Sequence, residues 1–172
     1  MSSELDALAT KVLQRARDLK LLIATAESCT GGLVAAALTS IAGSSDVFES
    51  GFVTYSNEAK AGMLGVDPDL IREHGAVSSE VALAMAACTL KQSRANLSVS
   101  ITGIAGPGGG SAEKPVGLVH FAAAKMLSRH AGGIDFTALH HEERFGDIGR
   151  SLVREKSVEV ALNLLLRAAH LN

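Results

Sequence analysis

Two neighbouring side chains, Ser28 and Cys29, could act as nucleophiles in the segment ATAESCTGG at residues 24–32. An apolar run ends just before them and a Gly-Gly pair follows, which is the pattern of a strand that turns into a helix. Free amides at a helix start favour negative charge, either a phosphate or the oxyanion that forms when a carbonyl is attacked. The same pattern suits a plain turn in which Ser28 or Thr30 caps the helix, and a buried structural thiol is the commoner role of a cysteine. The segment therefore predicts a nucleophile or anion site, with the plain turn as the alternative.

A second candidate segment is SITGIAGPGGG at residues 100–110, where another strand ends in a glycine-rich turn. It matches neither G-x-G-x-x-G nor G-x-x-x-x-G-K-[ST], so the Rossmann and P-loop interpretations are excluded. Six glycines lie between positions 103 and 117. That is more than a flexible connector needs, so the segment predicts a ligand-binding loop, with a connector as the alternative.

The segment YSNEAK at residues 55–60 contains the only tyrosine of the chain, Tyr55, and a lysine, Lys60. Asn57 could cap the short helix that carries Lys60. A lysine near the positive end of a helix is disfavoured as a cation, which lowers its pKa and suits a general base. The alternative is an ordinary solvated lysine.

Adjacent histidines followed by an acid, His140, His141 and Glu142, resemble metal ligands at first sight. Neighbouring side chains of a strand point to opposite faces, so the two histidines would be separated. The pattern H-E-x-x-H is absent, and we expect no metal site here.

Three arginines surround the start of the last predicted helix: Arg144, Arg150 and Arg154. A helix start with arginines could hold a phosphate group. The alternative is a solvated helix face.

The elements that would position these residues alternate along the chain. Amphipathic spacing predicts helices at residues 3–20, 33–42, 57–65, 68–74, 79–94 and 147–171. Apolar runs and alternation predict strands at residues 21–26, 47–55, 97–101, 116–124 and 134–141. This mixture predicts an α/β fold, a three-layer α/β/α sandwich around one mixed, mostly parallel sheet. A short connector joins the last two strands, so we expect them to pair antiparallel.

Composition excludes several classes of protein. The 172 residues include 16 basic and 18 acidic side chains, so a net charge of −2 gives no field for nucleic acid or acidic membranes. An aromatic content of 3% nearly excludes base-stacking surfaces. No signal-peptide pattern opens the chain, and no apolar run reaches the ~18 residues of a membrane span. We expect one cytoplasmic domain over residues 1–172, without nucleic-acid or membrane partners.

Three motifs in order, AESCTGG, YSNEAK and TGIAGPGGG followed by KPVG, carry a resemblance to a known family. The chain resembles the C-terminal domain of the competence/damage-inducible protein CinA, a bacterial domain that also occurs alone as nicotinamide-nucleotide amidohydrolase (NMN deamidase). The resemblance covers nearly the whole chain. It implies hydrolysis of the carboxamide of nicotinamide mononucleotide to nicotinic acid mononucleotide and ammonia.

The resemblance also implies roles for individual residues. Ser28 would be the nucleophile, Lys60 its base, and Tyr55 would assist at the same centre, with no cofactor and no metal. Arg150 would bind the phosphate, with Arg144 in reserve because the spacing from Phe145 is one residue longer than is usual in the family. The full set of expected substrate-binding residues is Thr30, Gly31, Gly32, Thr102, Gly103, Ala105, Gly106 and Arg150.

Two other functions stay open at the level of sequence. One is a binding module that senses a pyridine nucleotide without turning it over, and the other is a CinA-type accessory protein. A sensor would not need a serine together with a lysine, so the presence of Ser28, Tyr55 and Lys60 favours the enzyme. The expected partner is a small nucleotide substrate, and a homodimer is expected only because small enzymes often pair.

Overall fold

The computed structural model describes residues 2–172 and contains helices and strands in alternation. The helices are α1 (Ser3–Asp18), α2 (Leu33–Thr39), α3 (Asn57–Ala59), α4 (Pro68–His74), α5 (Ser79–Gln92) and α6 (Arg150–Ala168). The strands are β1 (Ile23–Glu27), β2 (Phe48–Val53), β3 (Leu97–Gly103), β4 (Leu118–His130) and β5 (Gly133–Arg144). A 3₁₀ turn covers Ser44–Asp46 and a π-helical turn covers Lys60–Leu64. Every predicted element is present, with boundaries that differ by a few residues.

The strands form one sheet in the order β2-β1-β3-β4-β5. β1 pairs in parallel with both β2 and β3, whereas β4 pairs antiparallel with β3 and with β5. Four strands therefore run in one direction and β4 alone runs in the other, which confirms the mixed, mostly parallel sheet. β4 is longer than predicted and continues past β3, because its pairing with β5 extends beyond the point where Leu97 meets Lys125.

Helices cover both faces of the sheet, which confirms the three-layer sandwich. Helices α1, α2 and α6 pack on one face, where the core includes Leu13, Val99, Phe121 and Leu162. Helix α5 packs on the other face, against small side chains of β1 and β4 such as Ala24 and Ala122. Among residues 2–172, no helix is both long enough and apolar enough to cross a membrane.

In the central strand β3, polar residues alternate with apolar ones, yet neither face of the strand is exposed to solvent. Ser98 and Ser100 alternate with apolar residues, yet both are fully buried. Their hydroxyls donate hydrogen bonds of 2.8 and 2.6 Å to the main-chain oxygens of Ala86 and Ala82 in α5. These bonds satisfy the buried hydroxyls and attach α5 to the sheet.

The ends of β1, β2 and β3 meet at one edge of the sheet, where parallel strands place their carboxyl ends together. Ser28 donates its amide to the Ile101 oxygen at 2.9 Å, and Thr54 donates its amide to the Glu27 oxygen at 2.9 Å. At the end of β3, a Cβ on Gly103 would lie 2.7 Å from a methyl of Val119, so only glycine lets β3 and the start of β4 pack this closely. Both candidate glycine-rich segments and the YSNEAK segment therefore begin at the same place.

Candidate active site

The hydroxyl of Ser28 and the amine of Lys60 are in direct contact. Ser28 follows β1, and Lys60 lies where α3 passes into the π-helical turn. Lys60 Nζ is 3.1 Å from Ser28 Oγ and donates a second hydrogen bond of 3.0 Å to the Thr54 oxygen. Only 1% of the Lys60 surface is exposed. The structure thus brings together two residues that lie 32 positions apart in the sequence.

Burial lowers the pKa of Lys60 below its usual value of 10.5, and the neighbouring Cys29 opposes this shift. Within residues 2–172, no carboxylate lies within ion-pair distance of the amine. The cause is therefore desolvation rather than the helix dipole invoked from the sequence, because α3 is only three residues long. Its cap is Ser56, which accepts the Ala59 amide, and not Asn57. A lysine in such a site carries a neutral amine more readily than a solvated one.

The thiol of Cys29 lies beside the pair but is a poorer nucleophile. Its pKa is raised to about 12, chiefly by burial. A thiol of that acidity stays protonated at neutral pH, and the thiolate is the reactive form. The serine next to the lysine is the better placed of the two.

The start of α2 is occupied by a carboxylate. Glu27 is 1% exposed, and its oxygens accept the amides of Gly32, Val34 and Ala35 at 3.1, 3.0 and 2.8 Å. The expectation that these amides bind a phosphate or an oxyanion is therefore wrong, because they already have an acceptor. Glu27 was missed because its side chain reaches forward over the turn, although an acid just before a Gly-Gly helix start is a usable signal.

A cavity of about 270 Å³ opens above Ser28 and Lys60. Its lining consists of Ser28, Cys29, Tyr55, Asn57, Lys60, Ala76, Val77, Thr102, Gly103, Ile104, Ala105, Gly106, Gly108, Gly109 and Arg150. Thr102 is buried and donates its hydroxyl to the Ala76 oxygen at 2.7 Å, which ties the end of β3 to the loop before α5. The larger groove between β5 and α6, about 420 Å³, contains His141 and Glu143 but neither Ser28 nor Lys60.

Three expected binding residues, Thr30, Gly31 and Gly32, lie outside this lining. Gly31 donates its amide to the Ser28 oxygen at 3.0 Å, and Gly32 donates to Glu27. Thr30 is fully buried, and its hydroxyl oxygen has no partner among residues 2–172. These residues shape the turn that carries Ser28 rather than the wall of the cavity.

Arg150 connects two walls of the cavity. It donates hydrogen bonds to the Gly106 oxygen at 2.9 Å and to the Tyr55 hydroxyl at 2.8 Å. Tyr55 is 59% exposed, and its hydroxyl has no hydrogen bond to Ser28 or Lys60. Arg144, the reserve candidate, instead pairs with Glu142 at 2.7 Å and does not line the cavity.

Arg154, which the sequence offered as one of three possible phosphate ligands, makes contacts that the sequence reasoning did not predict. It stands one helical turn after Arg150 and donates hydrogen bonds of 3.1 Å to the oxygens of Cys29 and Thr30. It does not line the cavity, and its hydrogen bonds direct the guanidinium at the turn that carries Ser28. The four-residue spacing from Arg150, which puts both on one face of α6, was the available signal.

The histidines of β5 lie on opposite faces of the strand, as predicted. His140 Nε2 is 3.0 Å from Nδ1 of His120 on one face, whereas His141 contacts Glu143 at 2.7 Å on the other. We define the His120–His140 cluster as His120, His140 and Glu142. Burial lowers the pKa of both histidines in this cluster.

The model of the CinA C-terminal domain matches residues 5–169 of the chain. A CinA-like protein from Synechococcus sp. (strain RCC307) is 50% identical over 161 residues, which are 93% of this chain but 36% of that relative. The chain thus spans about a third of the length of the CinA-like relatives that it matches. A nicotinamide-nucleotide amidohydrolase PncC from Escherichia coli K12 is 57% identical over 122 residues, or 71% of this chain and 74% of the relative.

Solved structures show the same architecture. The competence/damage-inducible protein from Agrobacterium tumefaciens superposes with a TM-score of 0.88 and 50% identity, covering 98% of this chain and 97% of its own. A CinA superfamily protein from Escherichia coli superposes with a TM-score of 0.85 and 31% identity, covering 97% and 92%.

Proposed function

Since the chain belongs to the CinA C-terminal domain family, we propose that it is an amidohydrolase that converts nicotinamide mononucleotide to nicotinic acid mononucleotide and ammonia. The observation that carries the proposal is the buried contact of 3.1 Å between Ser28 Oγ and Lys60 Nζ on the floor of a cavity. The similarity to PncC supports the choice of substrate. A serine paired with a lysine is a variant of the nucleophile and base of serine hydrolases.

The first half of the reaction forms an acyl-enzyme. Ser28 Oγ attacks the carboxamide carbon, and the neutral Lys60 amine takes the hydroxyl proton over the 3.1 Å that separates the two atoms. The carbonyl oxygen becomes an oxyanion. When the tetrahedral intermediate collapses, the C–N bond breaks and the Lys60 ammonium returns the proton to nitrogen, which leaves as ammonia.

The second half hydrolyses the ester on Ser28. Water attacks the ester carbon and gives a proton to Lys60, and the C–O bond to Ser28 then breaks. Lys60 returns its proton to Ser28 Oγ, and the product leaves as the carboxylate, with its acidic proton released to solvent. The hydrogen bond from Lys60 to the Thr54 oxygen keeps the amine aimed at the serine throughout.

The oxyanion must be stabilised by amides that Glu27 does not occupy. The amides of Cys29 and Thr30 donate no main-chain hydrogen bond to another residue in the described part of the chain. Cys29 immediately follows the nucleophile and lines the cavity, so its amide is the best placed donor. A preorganised donor of this kind contributes about 10²- to 10³-fold in rate.

The remaining cavity residues would bind the nucleotide. Thr102 and the main chain from Gly103 to Gly106 form one wall, and Arg150 is the cation that would contact the phosphate. Tyr55, held by Arg150, would close the site from the other side. The sensor and accessory roles would use the same surface without the chemical step.

The test is release of ammonia from nicotinamide mononucleotide by the purified chain. We expect Ser28→Ala to reduce the rate by at least about 10³-fold with its fold intact by circular dichroism. Cys29→Ala is the matched control and should retain most of the activity. EDTA should leave the rate unchanged, because the serine–lysine step requires no metal.

Three results would contradict the proposal. No ammonia from wild type would favour the sensor. If Cys29→Ala were inactive and Ser28→Ala active, the nucleophile would be Cys29 and not Ser28. If chelation removed the activity and zinc restored it, the mechanism would use metal-activated water in place of Lys60.

The expected homodimer stays a prediction, which light scattering of the purified chain tests.

A further inference from the structure

The side chain of Arg154 is used in an unusual way for a surface-helix arginine. Its Nε and one terminal nitrogen donate to two main-chain oxygens, those of Cys29 and Thr30, each at 3.1 Å. No carboxylate within residues 2–172 pairs with it. A charged donor on a neutral carbonyl makes a stronger bond than a neutral donor and polarises the peptide group it contacts.

The peptide groups that Arg154 contacts are connected to the amides of Cys29 and Thr30. The Cys29 oxygen belongs to the same peptide unit as the Thr30 amide. The Thr30 oxygen belongs to the same unit as the Gly31 amide, which donates to the Ser28 oxygen at 3.0 Å. The Ser28 oxygen in turn shares its peptide unit with the Cys29 amide.

A chain of hydrogen bonds therefore runs from the guanidinium to each amide. One path passes through a single peptide unit to the Thr30 amide, and the other passes through two units to the Cys29 amide. Hydrogen bonds in such a chain polarise one another and strengthen the last donor. The guanidinium packs against the turn at Gly31, where an added Cβ would be in ordinary van der Waals contact with the terminal nitrogen, at 3.4 Å.

We propose that Arg154 is a positioning residue for amide hydrolysis, which fixes and polarises the Ser28 turn so that the Cys29 and Thr30 amides stabilise the oxyanion. This inference rests on the proposed function, since it assigns a role in the same reaction. It differs from the role of Arg150, which lines the cavity and would contact the substrate itself.

The kinetic test compares two substrates in Arg154→Ala and Arg154→Lys. For nicotinamide mononucleotide we expect kcat to fall about 10- to 100-fold in Arg154→Ala, somewhat less than for deleting a donor outright, with KM changed less than about threefold. For its thioamide analogue the loss should be several times smaller, because sulfur is a weak acceptor and gains less from the amides. Arg154→Lys keeps one charged donor and should recover part of kcat.

Arg17→Ala is the matched control. Arg17 also donates to a loop oxygen, that of Gly43 at 3.0 Å, and pairs with Asp46, but at the other end of α2. It should lower the melting temperature without changing kcat. Titration of Ser28 with a serine-directed phosphonate counts competent sites, so that kcat refers to folded enzyme alone.

A second measurement does not depend on turnover. In the NMR spectrum of the free protein, the amide protons of Cys29 and Thr30 should shift upfield in Arg154→Ala, because their polarisation is lost, and should stay near wild type in Arg17→Ala. If wild type released no ammonia, the proposed function would fail while these shifts still decided the role of Arg154.

Three outcomes would overturn the inference: an increase in KM alone, an equal loss for the amide and the thioamide, or unchanged amide shifts. If Arg154→Ala does not fold, Arg154→Lys carries the same comparisons, with effects in the same direction and smaller. A kcat for Arg154→Lys equal to that of wild type on both substrates, with unshifted amides, would then reject the role.

Discussion

The Ser28–Lys60 pair and the His120–His140 cluster both place ionisable side chains near the sheet. Only the first buries an amine that has no acidic side chain as a partner among the described residues. Lys60 is 1% exposed and has no acidic partner among residues 2–172. In the cluster, His120 lies 3.8 Å from Glu142, and Glu142 pairs with Arg144 at 2.7 Å. The cluster satisfies its own charges, whereas the amine is satisfied only by a hydroxyl and a carbonyl.

Under the proposed function, this difference separates a reactive pair from a structural cluster. A buried cation without a counter-ion is costly, and a lowered pKa is the usual way in which that cost appears. Such an arrangement persists when it serves a reaction, because it holds a neutral base near neutral pH. The histidines have carboxylates nearby, so their burial carries no comparable cost of an unpaired charge.

Replacing Lys60 should produce the largest effect. We expect Lys60→Met to reduce turnover at least about 10³-fold, because the proton acceptor is lost. The same change should raise the free energy of unfolding by about 1 kcal/mol, because an apolar side chain of similar length removes an unpaired buried amine. Ammonia release and chemical denaturation measure the two effects.

Lys60→Arg is the control for charge. Arginine keeps the positive charge but gives up no proton in the working range, so it should be nearly as inactive as Lys60→Met. Activity equal to wild type would show that Lys60 supplies charge alone. A marked loss of stability in Lys60→Met would remove the contrast with the histidine cluster.

Replacing Arg150 should have the next largest effect, on binding rather than on chemistry. Arg150→Ala should raise KM for the mononucleotide about 10- to 100-fold with a smaller change in kcat, because the phosphate lies away from the carboxamide. Nicotinamide riboside lacks that phosphate, so it should be a poor substrate for wild type and should lose little in the variant. Equal losses for both substrates would indicate that Arg150 acts through Tyr55 and Gly106, its two hydrogen-bond partners.

The pH profile of wild type sharpens the comparison further. Lys60 must be neutral to accept a proton, so kcat/KM should rise with pH, with a midpoint below 10.5 because burial lowers the pKa. In the same range the unfolded chain binds the proton more readily than the native one, so Lys60 also makes the free energy of unfolding increase with pH up to about 10.5. A rate that is flat from neutral to alkaline pH would reject Lys60 as the base.

The His120–His140 cluster should give the smallest effect, and on stability only. Burial lowers the pKa of both histidines below 6.5, partly opposed by Glu142 and Glu80, so the unfolded chain takes up their protons first. Their contribution to stability is present above about pH 6.5 and is lost as the pH falls below it. Denaturant unfolding of His140→Gln should therefore show a weaker decline on acidification, and its turnover should stay within about twofold of wild type. A large loss of turnover would place the cluster in the reaction.

Much of the fold followed from local patterns, because apolar periodicity and caps act over a few residues. The strand after residue 96 was predicted from Leu97, Val99 and Ile101, and it forms the centre of the sheet. The bonds from Ser98 and Ser100 to α5 could not be predicted, because they depend on how closely a small-residue helix approaches a strand.

Part of the cavity lining was predicted from the sequence, but Thr30, Gly31 and Gly32 lie outside it, and the contacts between the side chains were not predicted. Ser28, Lys60 and Tyr55 line one cavity, yet Tyr55 bonds to Arg150 and not to the serine. The forward reach of Glu27 and the backward reach of Arg154 from α6 both depend on tertiary packing. A pattern of residue types does not show which main-chain groups these side chains hydrogen-bond.

The charges around the cavity also give it an electrical polarity. At the Ser28 turn, the buried Glu27 carboxylate and the Arg154 guanidinium have opposite charges that offset each other. Arg150 lines the cavity and pairs with no carboxylate in the part of the chain that the structure describes, so an anionic group is attracted to it. For the proposed mononucleotide substrate, this attraction favours one direction of entry, with the neutral carboxamide leading towards Ser28 and the phosphate held at Arg150.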